Sequence, residues 1–306
     1  MKIIITGGTG LIGTELTQTL SRECHQLTSL VREVKPASPG AVKFMRWDVE
    51  RGEIEHASGL EAHDAVIHLA GESVAEGRWT EERKRRIRDS RVKGTRLLVE
   101  TLARLNKPPK LFLSASAIGF YGADRRDETL TEESTPGGDF LATVCCEWEA
   151  EAMCARDFGA RVVLLRTGIV LSPNGGALAK MLPVFKMGLG GKLGNGRQFM
   201  SWISLADQIS AIRFALANDT LCSAINLTAP RPVTNAEFTQ TLGRVLSRPA
   251  IFRVTPVALR LALGEMAATV LGSVRVFPAK LEAAGYIFEF PELQNALRHF
   301  DFAARR

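Results

Sequence analysis

Tyrosine is nearly absent from this chain of 306 residues, which contains only Tyr121 and Tyr286. Any chemistry that needs a phenol therefore has two candidates. Five cysteines (Cys24, Cys145, Cys146, Cys154 and Cys222) are an odd set without C-x-x-C spacing. That pattern argues against a disulfide framework and for free thiols in a reducing compartment. The five histidines form no metal-ligand motif, so no metal is expected. No apolar run approaches the roughly 18 residues that a membrane span requires. The apolar start Met1–Ile5 meets Thr6-Gly7-Gly8 too soon for a signal-peptide core, and a cytoplasmic protein is expected. Neither sign of charge dominates: 39 Lys+Arg against 33 Asp+Glu leave +6. With 45% hydrophobic and 24% charged residues, long disorder, collagen and coiled coil are excluded.

The most basic stretch, 81–93, has interspersed acids and continues into Leu97-Leu98-Val99, the pattern of a long amphipathic helix. No helix-turn-helix, zinc or RRM signature accompanies it, so nucleic acid is not expected as a partner. A phosphate-bearing small ligand fits better.

What is present is a strand–helix alternation. Buried-strand runs are predicted at 2–6, 26–31, 42–47, 65–70, 110–114 and 161–165, separated by helices at 14–22, 80–105 and 140–158. This order predicts an α/β fold with a doubly wound parallel sheet. Beyond 170 the rhythm changes. Residues 171–196 are rich in Gly and Pro, and a strand-like piece at 199–203 leads to a helix at 205–217 and a strand at 224–227. From Pro232 onward, helical patterns are broken by Pro249, Pro256, Pro278 and Pro291. The expected division is a nucleotide-binding domain of residues 1–170 plus about 200–229, and a smaller lid of about 171–199 and 230–306.

The motif that decides the function class is Thr6-Gly7-Gly8-Thr9-Gly10-Leu11-Ile12-Gly13. It leaves an apolar strand and opens a helix, the context that makes a glycine motif meaningful. Gly7 permits the tight turn, Gly10 lets backbone approach a pyrophosphate, and Gly13 lets the helix pack closely. The free N–H groups of Leu11, Ile12 and Gly13 at the helix start suit phosphate. The second strand ends in Leu30-Val31-Arg32 where NAD enzymes carry an acidic residue. A guanidinium there suits a 2′-phosphate, so NADP(H) is the expected cofactor.

The Gly-x-x-Gly-x-x-Gly spacing resembles the extended, nucleotide-sugar-epimerase-like branch of the short-chain dehydrogenase/reductase superfamily. Asp48-Val49, His68-Leu69-Ala70-Gly71, Ser114-Ala115-Ser116 and Phe120-Tyr121-Gly122 continue the resemblance. Gly71-Glu72, Arg78-Trp79-Thr80, Ser90-Arg91, Leu165–Leu171, Gly188–Gly191, Gly194–Gly196 and Phe199–Ile203 narrow it to the atypical "epimerase family" proteins with their own C-terminal domain. Pro278–Leu281 and Gly285–Phe288 belong to the same pattern.

The resemblance implies a Rossmann-type domain with cofactor contacts at Thr6, Gly7, Gly10–Gly13, Arg32, Asp48, Leu69–Gly71, Glu72, Arg91, Ser114, Gly168 and Val170. It implies an NADP(H)-dependent oxidoreductase or epimerase-like enzyme for a small polar substrate, free or nucleotide-linked, with a homodimer left open.

One family feature is missing. The superfamily's proton relay is Tyr-x-x-x-Lys on a helix, with a serine ending the fifth strand. Ser116 fills the serine slot, but neither tyrosine is followed by lysine four residues on. The relay helix instead offers Cys145/Glu149 or Val144/Trp148, depending on register. Ser116, Tyr121 and Cys145 are the candidate catalytic residues, with Glu72 another candidate acid. The alternative reading is a catalytically silent NADPH-binding regulator.

Overall fold

The computed structural model describes residues 1–34 and 42–302, so the last residues of the expected lid fall outside it. Eight strands form the main sheet: β1 Lys2–Thr6, β2 Gln26–Val31, β3 Val42–Asp48, β4 Glu53–Ile54, β5 Ala65–His68, β6 Leu111–Ala117, β7 Arg161–Thr167 and β8 Ser223–Leu227. Their order is β8-β7-β6-β5-β1-β2-β3-β4, parallel throughout except for the antiparallel edge strand β4. Strands covered on both faces need continuous apolar character, and Ile3, Ile4 and Ile5 of β1 are all fully buried.

Ten helices accompany the sheet among the described residues: α1 Leu11–Arg22, α2 Glu81–Ala103, α3 Phe140–Met153, α4 Gly176–Lys186, α5 Leu205–Ala217, α6 Asn235–Val245, α7 Pro256–Leu263, α8 Ala267–Leu271, α9 Ala279–Ala283 and α10 Leu293–His299. One face of the sheet packs Leu16 and Leu20 of α1 with Ile209 and Ile212 of α5. The other packs Leu98 and Leu102 of α2 with Ala152 of α3. Strand order reverses between β1 and β5, which marks the crevice at their carboxyl ends as the ligand position.

Local details differ from the sequence expectations for physical reasons. Helix α1 starts at Leu11 rather than Thr14, because the glycine turn itself feeds the first helical residues. Helix α2 starts one residue late because the hydroxyl of Thr80 caps it, accepting from Arg83 N–H. The piece at 199–203 is two strands with different partners: Phe199–Met200 pairs with Val233–Thr234, and Trp202–Ser204 pairs with Ile169–Leu171. The Gly/Pro-rich stretch contains α4, which carries Pro183 inside it.

A second core gathers Leu178, Leu182 and Phe185 of α4 around Trp202, with Phe238 and Leu242 of α6 and Leu293 and Leu297 of α10. Residues after 278 also return to the large half, where Leu281 and Tyr286 join the main core. Asp207 anchors that return. Fully buried in the first turn of α5, its carboxylate accepts from Ser204, Tyr286, Glu289 N–H and Phe290 N–H. Three polar links tie the segment after β5 and the start of α2 to α4, α7 and the turn after α7: Lys180 to Ala75 O, Arg78 to Leu261 O, and Lys84 to Glu265.

Candidate active site

The first part of the site is a backbone cradle at the strand-order reversal. Gly7 has φ +70°, and a Cβ there would lie 2.7 Å from the carbonyl carbon of Leu69. A Cβ on Gly13 would lie 2.1 Å from Gly7 O, so α1 can meet the turn only through glycine. Gly10 N–H closes the turn on Gly7 O at 3.1 Å. No side chain caps α1 and no acid occupies its first turn. The N–H groups of Leu11, Ile12 and Gly13 are thus left to an anionic ligand.

A buried chain of hydrogen bonds holds this cradle against its neighbours. Thr6 Oγ1 lies 2.7 Å from His68 Nδ1, and His68 Nε2 lies 2.9 Å from Thr95 Oγ1. Thr95 donates its own hydrogen to Arg91 O, so it accepts from Nε2–H, and Thr6 donates to Nδ1. Burial pushes the His68 pKa down to about 3, keeping the ring neutral. Thr6 Oγ1 also accepts from Ala70 N–H, which sets the path of Leu69, Ala70 and Gly71 past the crevice.

Two arginines flank the cradle. Arg32, exposed just beyond β2, has no hydrogen-bond or ion-pair partner among the described residues. Arg91 lies partly buried beside Gly71, where a Cβ would sit 3.1 Å from its guanidinium carbon. It donates to Glu72 O and Ile87 O and covers the Trp148 ring at 5.1 Å. Burial lowers its pKa, and the nearby Cys145 and Glu72 only partly oppose this.

The other expected cofactor residues are placed as follows. The Asp48 carboxylate is committed to the turn after β3, accepting from Glu50 N–H and Arg51 N–H. Glu72 is held by Arg83 at 2.5 Å. Ser114 is buried level with His68 in the sheet and donates to Ala115 O. Gly168 packs against Ser201 O, which a Cβ would approach to 2.7 Å, and Val170 pairs with Ile203.

The second part is a buried polar network at the carboxyl ends of β6, β7 and β8. Ser116, Arg166 and Asn226 are side by side in register on those strands. Ser116 donates to Glu149 Oε1 at 2.6 Å, and Arg166 grips the same carboxylate with Nε and Nη2, both at 2.8 Å. Arg166 Nη1 donates to the Tyr121 hydroxyl, which donates to Asn226 Oδ1 at 2.7 Å. The guanidinium also lies 3.4 Å from the centre of the Phe120 ring. Burial opposes the charge on Arg166, but the Glu149 carboxylate outweighs it and the pKa is raised.

Of the two registers open on α3, the Cys145/Glu149 pair is the one beside Ser116, whereas Trp148 meets Arg91. Cys145 is buried against Ala117 O, and desolvation first, then Glu149, push its thiol up to about 12. Tyr121 is fully enclosed, and burial raises its pKa. The structure therefore brings all three candidate catalytic residues into one neighbourhood and buries each of them. Sequence reasoning missed Arg166, Asn226 and Glu132, whose Oε1 accepts from Asn226 N–H. An arginine closing the apolar run 162–165 was a usable signal, because a buried strand charge needs a partner.

The profile of the NAD dependent epimerase/dehydratase family matches residues 3–227, and that of a domain of unknown function matches 254–300. The chain belongs to the NAD-dependent epimerase/dehydratase family. Among members of that family, an epimerase family protein of Mycobacterium tuberculosis is 42% identical over 96% of both chains. A chloroplastic epimerase family protein of Arabidopsis thaliana is 38% identical over 97% of this chain and 86% of its own. The crystal structure of a human epimerase family protein with NADPH superposes with a TM-score of 0.87, at 33% identity over 97% of this chain and 98% of its own. A UDP-glucuronic acid 4-epimerase of Bacillus cereus, at 17% identity and TM-score 0.77, shares the fold. No helix of the described residues is long and apolar enough to cross a membrane, and none of their His, Cys, Asp and Glu side chains group as a metal site.

Proposed function

We propose that this protein is an NADP(H)-dependent oxidoreductase or epimerase-like enzyme for a small polar substrate, working without a tyrosine relay. The observation that carries the reading is the uncapped, acid-free start of α1 in the Gly7–Gly13 cradle, with Arg32, unpaired among the described residues, just beyond β2. The residues present fit the cofactor: the α1 N–H groups suit its pyrophosphate and Arg32 its 2′-phosphate. The human relative crystallised with NADPH supports the same choice. Bound there, the nicotinamide supplies or takes up a hydride.

The chain's own residues then define what the site offers a substrate. Ser116 spends its proton on Glu149, so its oxygen presents only lone pairs and suits a hydroxyl or N–H donor. Glu149 is neutralised by Arg166, and the Cys145 thiol stays protonated. Protons would then travel through substrate or solvent, since the Ser116 hydrogen is engaged by Glu149 and the Cys145 thiol holds its proton. That sealed network equally favours a second reading, a silent NADPH-binding regulator.

The test uses NADPH carrying deuterium on the transferable nicotinamide carbon, incubated with protein and a metabolite extract. Deuterium in one metabolite, lost without protein, is expected for the reductase. Tight NADPH binding with no label in any metabolite would shift the balance to the regulator, with hydride recycling by a redox-neutral epimerase still to be tested.

A further inference from the structure

We propose that Arg275 is the anion-recognition residue of the substrate cleft, taking a carboxylate or phosphate group on the substrate. This rests on the reading above, in which substrate lies over the carboxyl ends of β6 to β8. Arg275 belongs to a short strand, Arg275–Val276, paired with Thr129–Leu130. Its guanidinium carbon lies 4.9 Å from the centre of the Phe199 ring and 5.3 Å from that of Phe277. Its Nε is buried without an acceptor, and no described carboxylate pairs with it. The other three partly or fully buried arginines of the site each have a polar partner: Arg83, whose Nε also lacks an acceptor, has Glu72, Arg166 has Glu149, and Arg91 has two carbonyls.

Two aromatic rings stabilise a cation on its faces, but they satisfy none of its in-plane N–H groups. An arginine screened on its faces and unpaired at its edge is suited to bidentate capture of an oxyanion.

Position links this edge to the cleft. Ser201 Oγ donates to Val274 O and accepts from Val276 N–H, gripping the backbone on either side of Arg275. The same Ser201 accepts Ile169 N–H on its carbonyl and abuts Gly168 at the end of β7.

The test titrates NADPH-saturated protein with inorganic pyrophosphate or with malonate by calorimetry, using wild type, Arg275→Gln, Arg275→Lys and, as a charge-matched control, exposed Arg244→Gln. Wild type is expected to bind at least one probe, and Arg275→Gln to weaken it about tenfold or more. Arg244→Gln should match wild type, and NADPH affinity should be unchanged in all variants. Arg275→Lys, which keeps the charge but not the fork, should fall between and guards against a folding defect in the glutamine variant. Preference for pyrophosphate assigns a phosphate on the substrate, and preference for malonate a carboxylate. Binding of neither probe to wild type, or equal binding to Arg275→Gln, overturns the proposal. If wild type does not bind NADPH yet loses anion affinity on Arg275→Gln, the anion site stands and the cofactor reading falls.

Discussion

Ser116 gives its hydroxyl hydrogen to Glu149 across 2.6 Å, and that carboxylate stands four residues after Cys145 on α3. Beside Ser116, α3 thus presents an enclosed thiol and, four residues on, one half of an ion pair. Burial pushes the Cys145 thiol up to about 12, while the Glu149 carboxylate is gripped by Arg166, which also stacks on Phe120.

The pair is structural in its energetics. Glu149→Gln leaves the Arg166 charge buried without its counter-charge, and removing one partner of such a pair costs about 3–5 kcal/mol. Urea unfolding should therefore show a drop of that order. Glu149→Gln combined with Arg166→Met should recover most of it. A single-variant loss below about 1 kcal/mol would remove the pair from any account of the fold.

Gly13→Ala places a methyl where Gly7 O already lies 2.1 Å away. Helix α1 must then back away from the turn, so NADPH affinity should fall by at least about a hundredfold, checked by nicotinamide fluorescence titration. Retained affinity would show that the cradle does not hold the pyrophosphate.

Arg32→Asp should weaken NADPH about tenfold or more while sparing NADH, since only the 2′-phosphate meets the guanidinium. Equal losses for both cofactors would refute the assignment.

His68 sets a pH limit. Its folded pKa of about 3 lies below the unfolded value of 6.5, so the unfolded chain binds the extra proton between them. The stability contributed by its neutral ring is complete above about pH 6.5 and is lost as pH falls towards 3. Thermal melting of wild type and His68→Gln across that window should converge as the pH drops, with parallel curves counting against the assignment.

Cys145 should resist iodoacetamide at pH 8 in the folded protein, because its thiol is pushed up to about 12, whereas exposed Cys24, Cys154 and Cys222 should react. Mapping of the alkylated peptides by mass spectrometry checks this, and rapid modification of Cys145 would reveal an opening of the site.

Much of the fold was legible because it rests on local rules. A strand of consecutive isoleucines, a glycine spacing and a helix start are short-range backbone statements, so the Gly7–Gly13 cradle and Arg32 at the end of β2 could be read directly from residue order. The same holds for strand β7, whose apolar run the prediction located to within two residues.

Strand register and chain return could not be read that way. Arg166 and Asn226 are sixty residues apart, and only the pairing of β7 with β8 puts them beside each other and both within reach of Tyr121. Asp207 is an acid in the first turn of α5, a common helix-start position, and only the fold makes it the anchor for Tyr286, Glu289 and Phe290. Residue order by itself determined a nucleotide cradle and the absence of the usual relay. Tertiary structure alone decided that a buried ion pair lies beside Ser116, since burial and partner choice depend on which distant strands and helices pack against one another.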